Sequence, residues 1–185
     1  MPNDAPGERF ALAPHPDTPC TAVRAITLHY ERPTPALLTL HYRLDGDLEA
    51  LRIPEPRSPV RTDGLWQHTC VEAFIGQAGA PAYWEYNFSP SGAWAAYQFS
   101  GYREGMAPLM KGAAPVISTR ETPGSLAVSV AVDLSWISRA TAAELVLGVA
   151  AVIETRERVL SYWALKHPAG KPDFHQAESR IVPLA

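Results

Sequence analysis

His167 and His175 bracket the loop Pro168-Ala169-Gly170-Lys171-Pro172-Asp173-Phe174. With Asp173 they bring together two imidazoles and a carboxylate, a donor set that suits zinc or iron. The alternative is that the polar groups of the loop hydrogen-bond one another and its backbone. The common enzyme templates are missing: the chain has no Gly-x-Ser-x-Gly elbow, no glycine-rich phosphate loop and no His-Glu-x-x-His helix. His68 and Cys70 would share one face of a strand, but Cys70 opens an apolar run and reads as a packed thiol. Asp45 and Asp47 could offer oxygens to calcium, yet they are better explained as turn residues.

The aromatic residues between Trp66 and Tyr102 say more. Strand alternation puts Trp84, Tyr86 and Phe88 on one face and Tyr83, Glu85 and Asn87 on the other. The triple-aromatic face belongs in a core, which leaves a ring, a carboxylate and an amide in a row opposite. Glu72 shares a face with Cys70 and Phe74 on the preceding apolar run. A carboxylate there needs a partner, because burying it alone is costly. That partner is either an arginine, Arg103 for instance, or a ligand. An aromatic plane beside carboxylate and amide groups is what a sugar requires: the ring packs on C–H groups while the polar atoms bond hydroxyls. The same ingredients would also build a core with a polar rim.

The elements that carry these residues are strands. Leu38, Leu40, Tyr42 and Leu44 alternate with Thr39, His41 and Arg43, and Leu126, Val128, Val130 and Val132 alternate with small or polar residues. Further strands are expected at 22–31, 70–76, 82–89, 93–100, 115–121, 144–154 and 158–165. The run 144–154 is apolar on both faces, and its valines and isoleucine favour a central strand over a buried helix. Ser89-Pro90-Ser91-Gly92 and Thr122-Pro123-Gly124-Ser125 read as hairpin turns, and Asp45-Gly46-Asp47 as a tight hairpin. The one helical piece expected is a short turn around Leu134–Arg139. The prediction is an all-β fold, a two-sheet antiparallel β-sandwich. Residues 1–20 read as a proline-rich arm packing on a single domain of residues 21–185.

Composition agrees. The 18 prolines among 185 residues, about twice the usual share, argue against a helical bundle. A net charge of −3 argues against nucleic acid as a partner. No apolar run is long enough for a membrane helix, and the N-terminus lacks the pattern of a secretory signal. Two cysteines, Cys20 and Cys70, suit free thiols in a cytoplasmic protein. Exposed sheet edges could be capped by the proline arm or could pair in a homodimer.

Two stretches carry a family resemblance. Leu65-Trp66-Gln67-His68-Thr69-Cys70-Val71-Glu72-Ala73-Phe74-Ile75 is followed by Tyr83-Trp84-Glu85-Tyr86-Asn87-Phe88-Ser89-Pro90-Ser91-Gly92-Ala93-Trp94. Together they resemble the DOMON-like superfamily, and within it family-nine carbohydrate-binding modules and small bacterial DOMON-like single-domain proteins. The tail from Ser161 to His175 is similar to the end of those small proteins. The resemblance covers about residues 8–185 and implies a sandwich of Ig-like or jelly-roll type.

It also implies a site in which two tryptophans clamp a terminal sugar. Trp66 matches the first tryptophan, Glu72 the carboxylate six residues later, Asn87 the amide on the next strand, and Trp163 the second tryptophan. Glu85 stands where the sugar binders carry an arginine, and no acidic loop matches the family's structural calcium. Other branches hold b-type haem between a methionine and a histidine; here Met106 or Met110 would pair with His167 or His175.

The expected function is a non-catalytic domain that binds a saccharide or sugar-like molecule between aromatic side chains. Its candidate site residues are Trp66, Glu72, Glu85, Asn87, Arg103, Trp163, His167 and His175, with no cofactor expected. The alternatives are a haem- or metal-binding redox domain, or an enzyme centred on the His167–His175 loop.

Overall fold

Every alternating segment of the sequence becomes a strand. The computed structural model describes residues 9–138 and 144–184, and these form a sheet of twelve strands. The first six are β1 (Arg9–Pro14), β2 (Val23–Thr34), β3 (Leu37–Gly46), β4 (Cys70–Gln77), β5 (Tyr83–Phe88) and β6 (Trp94–Phe99). Then follow β7 (Ala107–Pro108), β8 (Val116–Thr122), β9 (Ser125–Asp133), β10 (Leu145–Glu154), β11 (Leu160–Ala164) and β12 (Val182–Pro183). Among the described residues, helical structure is limited to 3-10 turns at Leu48–Ala50, Leu65–Gln67 and Ala177–Ser179.

The strands run in the order β7-β6-β5-β4-β10-β11-β1-β2-β3-β9-β8, with β12 pairing β10. All pairings between strands are antiparallel, and the sheet folds over itself at β1 to make a β-sandwich. Arg9–Leu12 of β1 pair with β2 in one layer, while Ala13 and Pro14 pair with β11 in the other. Pro14 ends the strand, where its missing N–H breaks no ladder. The second half of the proline-punctuated segment therefore joins the two layers, while residues 1–8 lie outside the described ones.

The core fills the space between layers. Leu28, Leu38, Leu40 and Val130 from one layer meet Ile75, Phe88, Leu147 and Ile153 from the other, each 0–2% exposed. Fully burying such a side chain is worth about 1.5–3 kcal/mol, so each of these contacts contributes to stability on that scale. The central strand β10 lies between β4 and β11 and is buried on both faces. That explains its unbroken apolar sequence.

Two of the expected turns form hairpins: Gly92 (φ 93°) closes β5–β6, and Gly124 (φ 77°) closes β8–β9. The third does not. Gly46 remains in β3, paired with Val23, and the chain then enters the 3-10 turn capped by Asp47. Glycine is needed there for close approach, because a Cβ would stand 2.3 Å from the Ala22 carbonyl oxygen. The Leu134–Arg139 segment is a turn over residues 134–138, with the Ile137 N–H donating to the Leu134 carbonyl at 3.0 Å; Arg139 lies outside the described residues.

Candidate functional site

The layers differ in one respect. The outer face of β2, β3, β8 and β9 is open to solvent, with His41 and Arg43 exposed and Thr39 and Ser129 half-buried. The outer face of β4, β5, β6, β10 and β11 is itself buried, under a second cluster that includes Cys70, Phe74, Tyr83, Tyr97, Val152 and Phe174. Three irregular pieces cover it: the turn Leu65–Gln67, the loop after β6, and the C-terminal segment around residues 171–175.

Register brings the polar residues together beneath this cover. One row runs Ala164–Ala150–Glu72–Asn87–Ala95 across five neighbouring strands. The next runs Gly148–Phe74–Glu85–Tyr97. Glu72 and Glu85 are therefore diagonal neighbours on adjacent strands, within side-chain reach. The alanines beside them leave room above the sheet. A cleft of about 490 Å³ opens there, with Glu72 and Glu85 in its floor and Trp66, Phe99, Tyr162 and Phe174 among its walls. Arg103, Met106, Lys171, Asp173 and His175 also line it.

The carboxyls are deeply buried, at 2% exposure for Glu72 and 4% for Glu85. Burial, and then the charge of Glu85, push Glu72 up to about 8; a hydrogen bond from Cys70 Sγ at 3.4 Å opposes this only weakly. Burial raises Glu85 as well, against the Asn87 amide that donates to its Oε1 at 2.6 Å and the Arg103 charge. Two carboxylates so close cannot both ionise cheaply, so the pair keeps a proton at neutral pH. The Cys70 thiol is pushed up by burial and by Glu72, so it is an inert packed group.

His175 is neutral. Burial, and next Arg103, lower it to about 4. Its Nδ1 and the Tyr83 hydroxyl share a hydrogen bond of 2.7 Å, and its Nε2 lies 3.8 Å from Glu85 Oε2. The latter contact is thus polar rather than ionic. Arg103 adopts a left-handed backbone (φ 56°) and pairs with Asp173 at 3.0 Å, not with Glu72. Burial alone would raise Asp173, but hydrogen bonds from Tyr102, the His175 N–H and Arg103 outweigh it and hold the carboxyl low. Trp66 stands 36% exposed at the rim, edge-on to Tyr97 with ring centroids 5.8 Å apart.

Of the eight candidates, Trp66, Glu72, Glu85, Arg103 and His175 line the cleft. Asn87, wholly buried, lies directly behind, opposite Glu72. Two are elsewhere. Trp163 points the other way, into the inter-layer core, where it is 3% exposed and donates to Ser161 Oγ at 3.0 Å. The alternation that buries Trp163 turns its neighbour Tyr162 into the cleft. His167 bonds the Ala13 carbonyl through Nε2 at 2.8 Å and packs edge-on against His15. It is separated from His175, and no group of three or more His, Cys, Asp or Glu side chains among the described residues could hold a metal ion. Met106 is at the rim and Met110 is 83% exposed away from the cleft. A haem face needs an apolar slot, and a floor of two carboxyls is the reverse of one, so these residues do not fit haem.

The sequence reading missed Phe99, Tyr162 and Phe174 as cleft walls. Phe99 was legible from its two-residue spacing with Tyr97; the other two depend on the pairing of β11 and the path of the C-terminal segment.

No family model matches the chain, and no curated protein is similar to it in sequence. Solved structures do match. A protein from Bacteroides uniformis, ascribed a carbohydrate-binding role, superposes with a TM-score of 0.70 at 12% identity, over 94% of this chain and 84% of that one. A family-nine carbohydrate-binding module from Caldicellulosiruptor kristjanssonii, in complex with cellotriose, superposes with a TM-score of 0.54 at 10% identity, over 89% and 75% respectively. At such identities the likeness establishes a shared fold.

Proposed function

We propose that this chain is a non-catalytic binding domain of DOMON-like type that holds a sugar or sugar-like molecule in the cleft beneath Trp66. The observation that carries this reading is the composition of the cleft. Aromatic walls (Trp66, Phe99, Tyr162, Phe174) stand over two buried carboxyls, with Arg103 and Asp173 at the edge. Aromatic rings take the C–H faces of a sugar and the polar groups take its hydroxyls. The structures with the same fold that are ascribed or seen with carbohydrate ligands support this choice of ligand class. The clamp differs from the two-tryptophan arrangement implied by the resemblance: Tyr162 and Phe174 line the cleft with Trp66, while Trp163 lies in the core. His167 bonds the Ala13 carbonyl and packs against Phe174, while His175 lines the cleft itself.

Titration calorimetry against mono- and disaccharides tests this. Binding that disappears in Trp66→Ala, with the melting temperature unchanged, supports the cleft as the site. Saccharide binding unchanged by Trp66→Ala overturns it.

A further inference from the structure

The floor of the cleft gathers more buried carboxyl oxygen than a neutral sugar needs. Glu72 receives one long hydrogen bond, from Cys70, and no cation pairs with it among the described residues. Glu85 receives the Asn87 amide, and its histidine neighbour is neutral. Arg103, the nearest guanidinium, is held by Asp173. Asn87 adds a third acceptor: its Oδ1 is buried without a hydrogen-bond partner, on the same face and directly opposite Glu72. The site therefore gathers carboxyl and amide oxygens that have few donors and no Lys or Arg ion partner among the described residues, and places aromatic rings around them. A buried carboxyl normally has a paired cation, because isolation is costly.

We infer that the ligand of this cleft carries a protonated amine, as an amino sugar does, and that its ammonium group sits on the floor between Glu72 and Glu85. An ammonium has three donors and no acceptor, which matches two carboxyls backed by an amide oxygen. Rings such as Trp66 and Tyr162 add the attraction of aromatic faces for a cation. On binding, the proton held by the carboxyl pair leaves to solvent and the ammonium replaces it, so charge is balanced at the floor. Lys171 and the Asp173-paired Arg103 remain at the edge, facing the hydroxyl-bearing part of the ligand. This inference rests on the saccharide reading of the same cleft, and the experiment separates the two.

The probes are glucosamine, galactosamine and 6-amino-6-deoxyglucose, against glucose, galactose and N-acetylglucosamine, with methylammonium as an ammonium without a sugar. Calorimetry at neutral pH is expected to show at least one amino sugar binding about tenfold or more tightly than its neutral parent. That advantage is expected to vanish in Glu72→Gln and Glu85→Gln, which keep the shape and remove the charge. Neutral sugars binding as well as amino sugars overturn the ammonium site and leave the saccharide reading standing. Methylammonium binding while every sugar fails overturns the saccharide reading and keeps the cation site. Failure of all probes overturns both.

Discussion

The Asn87 amide nitrogen donates to Glu85 Oε1 at 2.6 Å, and the same amide lies directly across the ladder from Glu72. One neutral side chain thus touches one carboxyl of the pair and faces the other. Its neutrality matters as much as its hydrogen bond. Asn87→Asp would crowd a third carboxyl into the same low-dielectric face. The expected result in urea denaturation is a loss of about 3 kcal/mol or more at pH 8, shrinking at pH 5, where the added group can be protonated. An equal loss at both pH values would show that shape, not charge, is what Asn87 supplies.

The carboxyl pair should also set how stability varies with pH. Glu72 titrates near 8 in the folded chain against 4.5 as a free side chain. Between those values the folded state holds more protons than the unfolded one. Stability therefore falls as pH rises from about 4.5 toward 8. Glu72 faces Glu85 from β5, Cys70 on its own strand and Tyr162 from β11, with His175, Lys171 and Asp173 above. Glu85, Cys70 and Tyr162 share its direction of change, each raised first by burial. Glu72→Gln is expected to raise the melting temperature at pH 8 and to leave it nearly unchanged at pH 5, an effect on the order of a few kcal/mol at the upper pH.

His175 has the opposite sign. It titrates near 4 when folded against 6.5 when free, so the unfolded chain takes up the proton first. Stability is full above pH 6.5 and is lost as pH falls toward 4. Replacement by Phe keeps the ring against Phe74, Tyr83 and Phe99 and removes the titration. It also strips the Tyr83 hydroxyl, which is nearly fully buried, of its hydrogen-bond partner. His175→Phe should cost about 1–3 kcal/mol at pH 7 and flatten the acid limb of the stability profile.

Two tryptophans should separate binding from folding. Trp66 stands at the rim and Trp163 in the core. Trp163→Phe is expected to cost about 1–3 kcal/mol, through lost volume and an unpaired Ser161 hydroxyl, and to leave saccharide affinity unchanged. Trp66→Ala is expected to do the reverse. Thermal melts and calorimetry on both variants check the pair of outcomes.

Local pattern accounts for much of what was legible beforehand. Alternation in 82–88 put Tyr83, Glu85 and Asn87 on one face, and they are on one face; the same rule joined Glu72 to Cys70 and Phe74. Arg9–Pro14 hid its strand, because prolines mask a period of two and its partners, β2 and β11, are distant in sequence. Trp163 misled for a related reason. Residue type suggested a clamp, but the side of a strand that faces the core is decided by its neighbours' register, and β10 turns Tyr162 outward instead.

The sequence by itself determined the β class, the placement of nine of the twelve strands and the sharing of faces, because these follow from a period of two between adjacent residues. Only the tertiary structure decided which face of the β4–β5–β10 layer is roofed, that Glu72 and Glu85 meet without a Lys or Arg ion pair among the described residues, and that Arg103 serves Asp173. Those outcomes depend on pairings between residues tens of positions apart and on the path of the irregular C-terminal segment. Burial, and with it the retained proton of the carboxyl pair, exists only once that segment has closed over the sheet.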